Sequence, residues 1–99
     1  MSILFEIKYK IIENKRDEYL ELISRFKSHY QKEGISDYKI YQDEKNPCEF
    51  TEIFLFEDEN AFEKFEEDSN EEINEMLTML VRDMVLDQKI KYRTKKEIM

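Results

Sequence analysis

One glycine, one proline, one cysteine, one histidine and no tryptophan occur in 99 residues. Each scarcity removes a class of chemistry. Loops that cradle phosphate need several glycines in one turn, and Gly34 stands alone. Cys48, without a second cysteine, makes no internal disulfide and no thiolate cluster for zinc. With His29 the sole histidine, a transition-metal site has too few ligands. Long apolar runs are missing as well: nothing approaches the ~20 residues that span a bilayer. The first ten residues place Glu6, Lys8 and Lys10 among their apolar positions, which excludes a signal-peptide core. These absences point to a cytoplasmic chain in a reducing setting, with no metal, no cofactor and no membrane partner.

Charge and aromatic rings are abundant. Charged residues make up 40% of the chain, yet aromatics reach 13%, more than a disordered segment carries. The expectation is one folded domain over residues 1–99, with an ordered core from about residue 2 to 94 and a frayed tail over 95–99. The net charge of −8 is unevenly spread. Ten acids and one base, Lys64, lie between Glu57 and Glu75, while Lys89 to Lys96 holds five bases and no acid. Phosphate backbones would meet the acidic middle as well as the basic end, so nucleic acid is not an expected partner.

Periodicity predicts the elements. Residues 3–12 alternate as a strand, and Asn14 is placed to cap a helix over 15–33 with Tyr19, Leu20, Ile23, Phe26 and Tyr30 inward. Gly34 ends that helix. A second strand starts at Ser36, a polar turn covers Asp43 to Pro47, and a third strand runs from Glu49 to Phe56. Asp58 caps the next helix, which turns Ala61, Phe62 and Phe65 inward. Ser69 and Glu72 form a capping box for another, with Ile73, Met76, Leu77, Leu80, Val81 and Met84 as its apolar side. Gln88 to Thr94 closes as a fourth strand. The order β-α-β-β-α-(α)-β gives an α+β class: a ferredoxin-like, four-stranded antiparallel sheet with helices on one face.

The alternation also divides the strand residues between the two faces. Phe5, Ile7, Tyr9, Tyr38, Ile40, Ile53, Leu55, Ile90 and Tyr92 are assigned to the helix-covered side. The opposite parity then carries Glu6, Lys8, Lys10, Lys39, Tyr41, Lys89, Lys91 and Arg93, together with Phe50, Glu52, Phe54 and Phe56. Three phenylalanines on an uncovered face would expose several hundred Å² of apolar surface. A second copy of the chain, a ligand or stacked nucleobases would have to cover them. RNA-recognition modules stack bases on such a sheet, but their third strand carries glycine and basic residues, whereas this one reads Glu49, Phe50, Thr51, Glu52. The other conspicuous side chains have plain readings. His29 sits near a helix end, Cys48 is a surface thiol with no histidine beside it, and the acids from Glu66 to Glu75 are a solvated helix face.

The stretch from Glu52 to Asp68, "EIFLFEDENAFEKFEED", followed by a helix and a closing strand, resembles the antibiotic biosynthesis monooxygenase-like family of the dimeric α/β-barrel superfamily. The resemblance covers nearly the whole chain. It implies a homodimer whose sheets face each other across a cavity, with Phe50, Phe54 and Phe56 at the dimer interface. It also implies cofactor-independent oxygenation of quinol-like substrates or oxidative haem degradation as candidate activities. The haem-degrading branch uses an Asn on strand one, a Trp on the helix after strand three and a His about ten residues on. Here strand one has no Asn, Phe65 stands at the Trp position and Glu75 near that of the His, so haem degradation is not expected. The leading expectation is a homodimeric protein binding a small aromatic or quinol-like ligand between its sheets. Lys8, Lys10, Tyr41, Phe54, Phe56 and Lys91 form the cavity, aromatic at its centre and cationic at its rim. No catalytic residue is assigned. A quinol oxygenase, with Tyr41 or Tyr9 handling the phenolic proton, is the second reading, and a purely structural interaction module the third.

Overall fold

In a computed structural model, which describes residues 1–33, 35, 37–68 and 70–99, the chain forms one four-stranded sheet with helices on one side. The strands are β1 (Ile3–Ile11), β2 (Tyr38–Gln42), β3 (Glu49–Phe56) and β4 (Val85–Lys96), in the order β2-β3-β1-β4 and antiparallel at every junction. The helices are α1 (Arg16–Lys32), α2 (Glu59–Glu67) and α3 (Glu71–Met79). This is the expected ferredoxin-like α+β arrangement. The roles expected of Gly34, Ser36 and Ser69 lie outside the described residues.

Local chemistry explains most boundaries. Asp58 caps α2, its Oδ1 accepting from the Ala61 N–H at 2.9 Å. Asn70 caps α3 in the same way, accepting from Ile73 at 3.1 Å. Asn14 does not cap α1; it lies inside a short 3₁₀ turn, Glu13–Lys15, that leads into the helix. In the hairpin between β2 and β3, Asp43 Oδ2 accepts from the N–H groups of Lys45 and Asn46, which closes the turn. On α1 the buried stripe is Tyr19, Leu22, Ile23, Phe26 and Tyr30; Leu20, one position from Tyr19, is turned about 100° away and exposed. After α3 a single π-helical turn, Leu80–Met84, feeds β4. The tail begins later than expected, because Lys95 and Lys96 still pair with Leu4 and Ile3.

The register decides which side chains share a face, and it corrects the sequence reading of β3. Phe54 lies opposite Phe5 and Tyr38, Phe50 opposite Tyr9 and Gln42, and Phe56 opposite Ile3. All belong to the helix-covered side. Tyr19 of α1 packs on Phe50 with ring centroids 4.4 Å apart, Tyr30 on Phe54 at 5.1 Å, and Phe65 of α2 on Phe54 and Phe56 at 4.9 and 5.0 Å. Phe50, Phe54 and Phe56 are 2%, 1% and 5% exposed. They have no surface to offer a second chain or a ligand between sheets, so the outward placement is overturned. Ile53 and Leu55 take the uncovered side instead. The physical reason is area: each buried phenylalanine removes about 150–250 Å² from water, more than isoleucine or leucine does. Keeping the rings inside carries Glu52, of the same parity, inside with them.

Candidate functional site

Two places in the molecule carry unusual chemistry, one on each side of the sheet. The first is Glu52. It was expected on the uncovered face, but it is 2% exposed and the only charged side chain buried among the described residues. Its neighbours in the strand ladder are Ile7 and Ile40. Among the described residues no cation forms an ion pair with it. Tyrosine hydroxyls reach it: Tyr38 donates to Oε1, and Tyr9 donates to Oε2 at 2.8 Å. Tyr19, from α1, lies 2.8 Å from the Tyr9 hydroxyl and extends the chain by one bond.

The proton count of this cluster closes when Glu52 is ionised. Tyr38 and Tyr9 each donate a hydrogen bond to the carboxylate, and Tyr19 donates its own to the Tyr9 oxygen. Removal from water still penalises the charge, so burial pushes the Glu52 carboxyl above its ordinary value, and the two donated bonds draw it part of the way back. The phenols respond to the same surroundings. Burial and the carboxylate nearby push Tyr9 and Tyr38 far above the usual phenol range; burial also raises Tyr19 and Tyr30. All four phenols therefore stay protonated, and those of Tyr9, Tyr19 and Tyr38 are held in hydrogen bonds. Of the two tyrosines that the oxygenase reading offered, Tyr41 and Tyr9, Tyr9 does not serve as a base for a phenolic substrate, because its oxygen is buried and engaged. Glu52 is the one carboxyl of the cluster, and burial holds it above the ordinary carboxylate value.

The second place is the uncovered face. The register lines up Tyr41, Thr51, Lys8 and Lys91 in one row across all four strands. The adjacent row holds Lys39, Ile53, Glu6 and Arg93, and beyond it Leu55, Leu4 and Lys95 lie side by side. Tyr41 is 53% exposed and Leu55 42% exposed. At the β1–β4 edge a recess of about 350 Å³ is lined by Lys8, Lys10, Lys89 and Lys91, with Glu49, Leu86 and Asp87 around them. Lys8 reaches Glu49 at 3.3 Å. Of the residues expected to form a cavity, Lys8, Lys10 and Lys91 thus converge on one recess and Tyr41 shares the row of Lys8 and Lys91, whereas Phe54 and Phe56 are on the opposite side of the sheet.

The recess owes its wall to an irregularity. The register between β1 and β4 shifts between Tyr9 and Ile11, and Asp87 and Gln88 both have φ of 55°, in the left-handed region where residues other than glycine are uncommon. This bulge separates Val85, still paired with Ile11, from Ile90, paired with Tyr9. Among the described residues no group of three His, Cys, Asp or Glu side chains could hold a metal ion. Among the same residues no helix is long and apolar enough to cross a membrane.

Comparison with known proteins adds the fold's company. No family model and no curated protein matches the sequence. Solved structures do match in shape. A conserved protein from Methanosarcina mazei Go1 superposes with a TM-score of 0.83 at 21% identity, over 99% of this chain and 94% of that one. An antibiotic biosynthesis monooxygenase gives 0.80 at 15% identity, over 97% and 98%. A variant of SnoaB, a cofactor-independent oxygenase from Streptomyces nogalater, gives 0.73 at 10% identity, over 97% and 92%. The fold is that of antibiotic biosynthesis monooxygenase-like proteins. At these identities the likeness concerns architecture, over essentially the full length of each chain.

Proposed function

We propose that two copies of the chain pack with their uncovered sheet faces together, forming a dimeric α/β barrel that holds a small aromatic or quinol-like ligand between the sheets. The observation that carries this reading is the one-sided covering of the sheet. Helices bury one face, while Ile53, Leu55 and Tyr41 stand uncovered on the other, ringed by lysines. The centre of the cavity is aliphatic with one tyrosine, rather than a row of phenylalanines. A cationic rim selects ligands with an acidic group, so an aromatic acid fits better than a neutral quinol. The single free Cys48 suits a cytoplasmic, reducing setting. Sedimentation equilibrium at micromolar concentration and thermal shift with hydroxybenzoates test the two halves of the reading. A dimer stabilised by the acids is expected; a monomer unaffected by them contradicts both.

Cofactor-independent oxygenation is a second reading, favoured by the buried Glu52. A carboxylate with a raised pKa is the type of group that takes a proton from a quinol. Its oxygens are enclosed by Tyr9 and Tyr38, so substrate would have to displace one of them. Oxygen consumption with a panel of quinols, abolished by Glu52→Gln, would establish it.

A further inference from the structure

The uncovered face has a charge conflict that its apolar residues do not resolve. Its strands present Lys8, Lys10, Lys39, Lys89, Lys91, Arg93 and Lys95 against three acids, Glu6, Glu49 and, at the β4 bulge, Asp87. Lys8 pairs with Glu49 at 3.3 Å and Lys95 with Glu6 at 3.7 Å. Among the described residues the remaining five bases form no ion pair. Two sheets packed face to face lie about 10 Å apart. At that spacing each cationic face repels its copy, and the repulsion grows as water leaves the interface. Ile53 and Leu55 draw the copies together while the lysines hold them apart.

The conflict is sharpest at the recess beside the β4 bulge. There Lys8, Lys10, Lys89 and Lys91 converge on a volume of about 350 Å³, and Glu49 is already engaged by Lys8. Asp87 is the other acid of the lining, and Leu86 gives it an apolar wall. Convergent cations, one apolar side and the volume of a small-molecule site form a receptor for an anion. We propose that this recess binds a small multivalent oxyanion, one bearing two or more carboxylate or phosphate groups, and that its occupancy allows two sheets to close on each other. The second half of the proposal rests on the face-to-face dimer; the first does not. In this account the anion belongs to the assembly: it neutralises lysines from both copies, so ligand binding and dimerisation are thermodynamically linked.

The test uses the full chain, with citrate and inorganic pyrophosphate as probes and sodium chloride at matched ionic strength as the control. Calorimetry reads binding and sedimentation equilibrium reads assembly. Either probe is expected to bind and to raise the dimer association constant by about tenfold or more over the chloride control. The larger response distinguishes carboxylate from phosphate. Lys10→Glu with Lys89→Glu should remove both effects, and the milder Lys10→Gln with Lys89→Gln should weaken them, which guards against a misfolded variant. Lys27→Glu with Lys32→Glu, on exposed positions of α1, should leave both intact. A dimer indifferent to both probes beyond chloride overturns the proposal and leaves the dimer standing. A chain that stays monomeric with and without the probes overturns the linkage together with the dimer. Binding that persists in the Lys10 and Lys89 variants overturns the site.

Discussion

Phe54 and Leu55 are neighbours in β3 and live in different environments. Phe54 touches Tyr30, Tyr38 and Phe65 and is 1% exposed, whereas Leu55 is 42% exposed beside Leu4. The contrast runs the length of β3, while Tyr92 of β4, opposite Ile7 on the covered side, is itself 63% exposed. On the covered side each polar group is answered within the chain: Glu52 has Tyr9 and Tyr38, and no buried polar side-chain atom among the described residues lacks a partner. On the uncovered side most cations lack partners and the apolar residues lack cover. One face is chemically complete in the monomer. On the proposed reading, the other is completed by a second copy of the chain and its ligand.

Substitutions on paired positions break or sharpen this contrast. The largest effect is expected at Phe54. Phe54→Ala should lower unfolding free energy by about 3–5 kcal/mol, because a ring in a packed cluster leaves a cavity. Leu55→Ala should cost the monomer less than about 1 kcal/mol, since its side chain is already half in water. Urea unfolding of both variants measures the difference. Equal costs would mean that the two faces have been assigned wrongly.

Glu52 comes next. Glu52→Leu should cost about 2–4 kcal/mol, because the Tyr9 and Tyr38 hydroxyls lose their acceptor inside the core. Glu49→Leu, on the uncovered face, should stay within about 0.5 kcal/mol, as an exposed ion pair contributes little. A smaller effect is expected from single hydroxyls. Tyr38→Phe removes one bond to the carboxylate and should cost about 1–2 kcal/mol, against almost nothing for Tyr41→Phe.

Acid–base behaviour should show the same asymmetry. The folded-state pKa of Glu52 is raised, so above the ordinary glutamate value of 4.5 the folded chain keeps a proton that the unfolded chain has released. Stability conferred by that proton is present below the ordinary value and is lost as pH rises through the folded value. Urea midpoints for the natural chain should therefore fall relative to those of Glu52→Gln as pH increases across this window. Parallel curves would show that the carboxyl titrates as it does in water.

The architecture was legible in the sequence because its signals were local. Asp58 read as a cap and is one, the charged alternation of β4 has one available face, and α1 shows its stripe apart from a one-position error at Leu20. The faces of β3 were not legible by alternation alone, since both parities are apolar. Assigning Ile53 and Leu55 to the covered side sent Glu52 and three phenylalanines outward. A better signal was present: Phe50, Phe54 and Phe56 share one parity, and three aromatic rings outweigh one carboxylate when hydroxyls can answer it. Those hydroxyls come from β1, β2 and α1, separated by 10, 14 and 43 positions along the chain in the observed bonds, and only the fold brings them together. The lysine recess was half legible. Lys8, Lys10 and Lys91 were on the expected face, but the bulge at Asp87 and Gln88 that shapes it has no glycine to announce it.

The central claim is that the uncovered face meets its own copy. With Cys48→Ser to remove the native thiol, a spin label on Thr51→Cys would stand at the middle of that face, opposite Lys8. Two sheets about 10 Å apart predict one well-defined distance between labels on the two copies. That distance should be far shorter than the 39 Å length of the molecule. A label on Arg25→Cys of α1 should give a longer distance. No dipolar coupling between copies at Thr51, or a shorter distance at Arg25 than at Thr51, would contradict the account.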